Sequence, residues 1–212
     1  MQIKFHGHSC FSVKDGDFTL VTDPYDESTG LKLPVLKANV VTVSHKHPHY
    51  NNVSAVQGEP KVFNWPGEYE TAGIHFRGIV SFHNTKEDKE QKENTIFKAD
   101  LNGIHLCHLG SLGTKLTPEQ LESVGDVDIL FIPVGNKEAI DAKKAKEVIE
   151  QIEPRIIIPM AYHTEGDTTG LDALELFLKE MGAQAGEQID TFTVKRSELP
   201  DDNSKVVVIQ PS

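Results

Sequence analysis

Apolar positions along the chain change their period near the middle. Short runs rich in Val, Ile, Phe and Thr crowd the first half, at Ile3–Phe5, Phe18–Thr22, Val40–Ser44, Val62–Asn64, Ile74–Phe82, Thr95–Lys98 and Ile104–His108. Gly, Asp, Asn and Pro separate them, the punctuation of strands joined by loops. From residue 117 the pattern alternates. Thr117 as N-cap, Pro118 behind it, Gln120 at the third helical position and Gly125 at the end predict a helix over Thr117–Val124. Asp128–Val134 and Arg155–Met160 read as buried strands. Helical spacing at Ala145, Val148, Ile149 and Ile152 predicts a helix over Asp141–Ile152. Leu174, Phe177, Leu178 and Met181 predict another over Leu171–Met181, closed by Gly182. Strands at Phe192–Lys195 and Val206–Ile209 complete the pattern. Strands first and β-α-β-α-β afterwards imply sheets covered by helices, in one domain over residues 1–212 with no internal repeat.

Composition narrows the class. With 212 residues, 38% hydrophobic and 25% charged, the chain is long enough for a core without staples. The formal net charge of −11 repels phosphate backbones, which argues against a nucleic-acid partner. The mixed-sign run Lys86–Glu93 reads as a solvated loop. Two cysteines, Cys10 and Cys107, make no disulfide framework, and the polar start resembles no signal peptide. No apolar run is long enough for a membrane helix. The expectation is a cytoplasmic protein with neither a nucleic-acid nor a membrane partner.

Ten histidines carry the chemistry. Behind an apolar strand stands Val43-Ser44-His45-Lys46-His47-Pro48-His49-Tyr50-Asn51. Alternate residues of an extended segment face one side, and Pro48 disfavours the helical region for His47. On that reading His45, His47 and His49 converge, and neutral imidazoles two apart can grip one ion of Zn, Fe, Ni or Cu. The same spacing also suits three solvated loop histidines. His6, His75 and His105 alternate with apolar neighbours and are expected on solvent faces. His108 shares a face with Ile104 and Leu106 and should point into the core, while Asp167 reads as a loop carboxylate. Leu109-Gly110-Ser111-Leu112-Gly113 is no nucleophile elbow.

Taken in order, several motifs resemble the metallo-β-lactamase superfamily, and within it the small bacterial metal-dependent hydrolases related to ascorbate-6-phosphate lactonases. They are Gly7-His8-Ser9-Cys10-Phe11, Val21-Thr22-Asp23-Pro24, the histidine loop, Trp65-Pro66-Gly67-Glu68-Tyr69-Glu70, Ser81-Phe82-His83, Cys107-His108-Leu109-Gly110, Phe131-Ile132-Pro133-Val134-Gly135 and Ile158-Pro159-Met160. The resemblance spans about residues 3–180. It implies an α/β fold, a four-layer αββα sandwich, with metal ions in a cleft between the sheets and a metal-activated water attacking an ester, lactone, amide or phosphodiester.

Residue by residue, His45, His47 and His83 match the ligands of the family's first metal, and Asp23 matches a residue thought to steady the ligand loop. The resemblance also puts His8 near the metals. Departures fall on the second metal. His49 stands where the family has an aspartate, Tyr50 where it has a histidine, Ser111 in place of the bridging aspartate, and Ala161 in place of a histidine. His163, two positions on, compensates only if its loop shifts. The expectation is one ion, Zn or else Mn, Fe or Ni, on His45, His47 and His83, with His49 an extra ligand or a general base. Two functions follow: a hydrolase of a small ester, lactone or phosphoester, or an inactive relative kept as a small-molecule-binding or interaction module.

Overall fold

The computed structural model describes residues 1–83, 92–135, 139–183, 189–201 and 203–212. Residues 86 to 91 of the charged run lie outside the described residues. The first sheet holds β1 (Gln2–Phe5), β2 (Phe11–Asp15), β3 (Phe18–Thr22), β5 (Val40–Thr42), β7 (Lys61–Phe63) and β14 (Phe192–Thr193), in the order β14-β1-β2-β3-β5-β7. A two-stranded ribbon pairs β4 (Leu36–Lys37) with β6 (Val56–Gln57). The second sheet holds β8 (Gly67–Thr71), β9 (Ile74–Phe82), β10 (Glu93–Leu101), β11 (Ile104–His108), β12 (Ile129–Pro133), β13 (Ile156–Met160) and β15 (Lys205–Val206), in the order β15-β13-β12-β11-β10-β9-β8. Both sheets are mixed. β8 to β11 pair antiparallel, while β11, β12, β13 and β15 pair parallel.

The sheets face one another across an apolar core. Alternation turns Phe5, Phe11, Leu20 and Val40 inward, and the Phe11 and Phe131 rings meet across the gap with centroids 4.6 Å apart. All five positions of β12 and of β13 are buried, so these parallel strands are covered on both faces. The helices α1 (Pro118–Val124), α2 (Ala142–Ile152) and α3 (Leu174–Met181) bring Val124, Ala145, Val148, Phe177 and Leu178 to the same core. Thr117 and Gln120 close a reciprocal capping box on α1, and Asp141 caps α2 through the Lys144 amide.

The opposite flank differs. Val21 and Val41, the outward partners of Leu20 and Val40, pack with Tyr25, Leu36, Ala38 and Val56 in a separate small cluster. Among the described residues the outer cover of the first sheet is therefore loop and ribbon, where the second sheet carries α-helix. His6 departs from its expected solvent face. The chain's C-terminal residues fold back over it through the Ser212 amide and Phe5 carbonyl, and its ring nitrogens bond Ser12 Oγ at 2.8 Å and Ser212 Oγ at 3.0 Å. His75 and His105 keep exposed side chains.

Candidate functional site

The sheet directions bring the carboxyl ends of β1, β3, β5, β9, β11 and β13 to one rim of the sandwich, where layered α/β proteins hold ligands. From those ends come His8, Asp23, His45, His83, Ser111 and Ala161. His8, Asp23 and Ala161 have positive φ values of 52°, 40° and 51°. Residues other than glycine pay for that region in strain, which accumulates where a site over-determines the backbone. The Ala161 amide donates to the His8 carbonyl at 2.6 Å, so two of the strained turns brace each other across the sheets.

The histidine loop is built on Asp23. Its wholly buried carboxylate accepts from the Ser44 amide at 2.7 Å and the Ser44 hydroxyl at 2.6 Å, one residue before His45. Burial pushes its pKa up to about 7, against the pull of those two bonds. Beyond Ser44 the loop is turned, contrary to the extended segment expected. The His47 amide donates to the His45 carbonyl and the Tyr50 amide to the His47 carbonyl. Having left β5, these groups have no ladder partner and satisfy one another instead.

Turning the loop wraps five imidazoles around Tyr50. Ring centroids lie 4.7 Å apart for His83 and His45, 6.3 Å for His45 and His47, 4.4 Å for His47 and His49, and 5.4 Å for His49 and His8. The buried Tyr50 ring touches His8, His45 and His47 from inside the arc. These six residues line a cavity of about 390 Å³, with Lys92, Thr169, Gly170 and Leu171 on its other walls. That volume lies within the ordinary range for small-molecule sites. His163 is exposed and lies outside the lining.

Hydrogen bonds decide which nitrogens are available. His45 Nδ1 lies 2.7 Å from the Glu93 carbonyl, and His83 Nδ1 lies 3.0 Å from the Ser111 carbonyl. A carbonyl only accepts, so both imidazoles carry their proton on Nδ1 and their lone pair on Nε2, the tautomer a metal ligand requires. Burial lowers the His45 pKa to about 4, partly opposed by the Glu93 carbonyl, so the ring is neutral near pH 7. His47 is different. Its Nδ1 accepts the His49 amide at 3.3 Å, which puts the proton on Nε2. Donor chemistry thus fits an ion at His45 and His83, while His47 holds the opposite tautomer. Among the described residues no group of three His, Cys, Asp or Glu is arranged to hold a metal in this conformation.

Ser111 and Tyr50 meet beside His83. The Tyr50 hydroxyl donates to Ser111 Oγ at 3.1 Å, and Ser111 Oγ lies 2.5 Å from His83 Nδ1. Asn94, buried and absent from the sequence reading, holds this corner. Its amide donates to Ser81 Oγ and the Leu109 carbonyl, and its carbonyl accepts the Ser111 amide. Gly110, at φ 60°, admits no side chain here, because a Cβ would run into Ser44 and Asn94.

His108 points into the core as expected. It accepts the Gly110 amide on Nδ1 and donates from Nε2 to the Ser9 carbonyl. Burial lowers its pKa to about 4. Burial, then the neighbouring His49 and His47, lowers that of His8 to about 3. Asp167 does hold a loop. Its Oδ1 accepts the Thr169 amide and hydroxyl at 2.8 and 2.7 Å, fixing the turn that walls the cavity.

A family model described as a beta-lactamase superfamily domain matches residues 2–161. The chain belongs to the beta-lactamase superfamily. Its metallo-β-lactamase fold is shared with a Thermotoga maritima structure, described as a possible zinc-dependent hydrolase of the superfamily, at 35% identity and a TM-score of 0.80 over 98% of this chain and 97% of that one. A UPF0173 protein of Pyrococcus furiosus is 26% identical over 187 residues, 77% of this chain and 84% of its own length. A UPF0173 metal-dependent hydrolase of Bacillus licheniformis is 23% identical over 197 residues, 77% of this chain and 86% of its own. No described helix of this superfamily member is long and apolar enough to cross a membrane.

Proposed function

We propose that the chain is a cytoplasmic metal-dependent hydrolase of small esters, lactones or phosphoesters, with one ion, zinc first among the choices, on His45, His47 and His83. The observation that carries this reading is the pair His45 and His83, whose rings lie 4.7 Å apart and whose Nδ1 protons are both tied to backbone carbonyls. An ion there would lower the pKa of a bound water towards ~7 and polarise the bond under attack. To join as an Nε2 ligand, His47 gives up its bond from the His49 amide and moves its proton to Nδ1. Asp23 steadies the loop through Ser44, and the 169–171 turn narrows the cavity over the substrate.

Metal analysis with zinc titration tests the site. About one equivalent is expected, with affinity reduced by more than about a hundredfold in His45→Ala or His83→Ala, beyond the loss typical of an outer hydrogen bond. Only a small fraction of an equivalent after reconstitution overturns the reading. His49→Ala separates its two roles: weaker metal binding marks a ligand, and lost turnover at full metal content marks the general base.

The Tyr50–Ser111 bond and the His47 tautomer favour a second reading, an inactive relative that binds a small molecule in the same cavity. Turnover by the native protein that scales with metal content eliminates it.

A further inference from the structure

A smaller cavity of about 180 Å³ adjoins the histidine cavity, and His45 lines both. Its other walls include Trp65, Pro66 and Val80, with Lys46, Asn64 and Thr95 as polar neighbours. Trp65 and Val80 are each half exposed, two of only four large hydrophobic side chains that the described surface leaves so open. Single exposed apolar residues need no explanation, but two converging on one cavity beside a candidate site do. At about 180 Å³ the cavity is smaller than an ordinary independent ligand site, which suits an annex to its larger neighbour.

Trp65 is held ready. Its carbonyl accepts the Tyr69 hydroxyl at 2.7 Å, and Tyr69 stacks on Phe63 with centroids 4.3 Å apart. Gly78 on β9 lets the Trp65–Pro66 turn lie flat on the sheet, since a Cβ there would stand 2.7 Å from the Trp65 carbonyl oxygen and 3.1 Å from Pro66 Cα. Lys46 Nζ sits 3.6 Å from the centroid of the indole ring. A fixed backbone under a half-exposed ring is a preorganised platform, which lowers the ordering cost of binding a flat group. Lys46 follows His45 in the chain, and both line the Trp65 cavity, so its cation stands on the wall that the smaller cavity shares with His45.

We infer that the Trp65 cavity is a substrate subsite: it takes a planar apolar group, such as an aryl ring, attached within a few bonds of a carboxylate or ester carbonyl beside His45. The ring packs against Trp65 and Val80, and Lys46 meets the oxygens. This deepens the hydrolase reading and rests on it only for what happens to the carbonyl.

Trp65 is the only tryptophan of the chain, so its emission reports on the subsite without any turnover. Phenylacetate should change that emission saturably, and acetate at equal concentration should not. Val80→Asp, on the exposed surface, should weaken phenylacetate binding by about tenfold or more, with the far-UV circular dichroism unchanged. Among substrates, methyl phenylacetate should exceed methyl acetate by about tenfold or more in kcat/KM. A saturable emission change without hydrolysis of either ester keeps the subsite and removes ester hydrolysis from the hydrolase reading. Equal turnover of both esters with no emission change does the reverse. An emission change that survives Val80→Asp undiminished also overturns the subsite.

Discussion

At the scale of single residues, burial keeps His6, His45 and His108 neutral near pH 7. His6 gives a test away from the cavity. Its ring is buried between Ser12 and Ser212, and burial, with Lys4 beside it, lowers its pKa from 6.5 to about 4. Between those values the unfolded chain binds the proton that the folded protein refuses, so stability rises with pH across this window. The contribution is complete above pH 6.5 and is lost as pH falls towards 4. Urea unfolding should show the native protein losing about 3 kcal/mol more than His6→Gln between pH 7 and 4. An equal loss in both proteins would show that His6 is not the group responsible. Alternation along β1 suggested the opposite environment for this residue. It could not reveal Ser212, which is 206 positions away and closes over the ring. The same blindness covers His47, whose tautomer depends on a neighbour's amide rather than on the spacing of histidines.

At the scale of elements, legibility followed the strength of local chemistry. The helices α1 and α2 begin where Thr117 and Asp141 cap them, and β12 and β13 read as buried because every position is apolar. The strand β2 went unread although Phe11 and Val13 alternate with Ser12 and Lys14, and β8 gave no pattern because its edge position leaves Gly67-Glu68-Tyr69-Glu70-Thr71 largely exposed. α3 begins at Leu174 rather than Leu171, because Leu171 lines the cavity and Asp172 bonds the Gly135 carbonyl and the His163 amide. Asp23 and the set His45, His47 and His83 were expected from the family resemblance, whereas the turned loop that relates them needed three dimensions. The seating of the Trp65 turn on β9 is testable as a contact between elements. Gly78→Ala should cost about 1–3 kcal/mol in denaturant unfolding by crowding that turn, and should change the Trp65 emission. Wild-type stability and emission in this variant would show that the turn is free of the strand.

At the scale of the whole molecule, the two flanks are unequally secured. One shares the main core with three helices; the other is a small cluster under loops and the β4–β6 ribbon. Regions with few buried apolar contacts open at lower free energy than the global transition. Amide hydrogen exchange should therefore release Ala38, bonded to the Gln57 carbonyl, through partial opening, while β12 and β13 exchange only on global unfolding. Equal protection in both places would refute the asymmetry.

The weak flank does not end at the ribbon. The Asp26 amide bonds the Pro48 carbonyl, and the Asn52 amide bonds the Pro24 carbonyl, so the cover grips the histidine loop from both sides. Whatever loosens the cover loosens the loop. By linkage, occupancy of the cavity must slow exchange beneath the ribbon to the extent that opening the ribbon costs the cavity its affinity. A ligand would thus announce itself on the far face of the first sheet, in amides that it never touches.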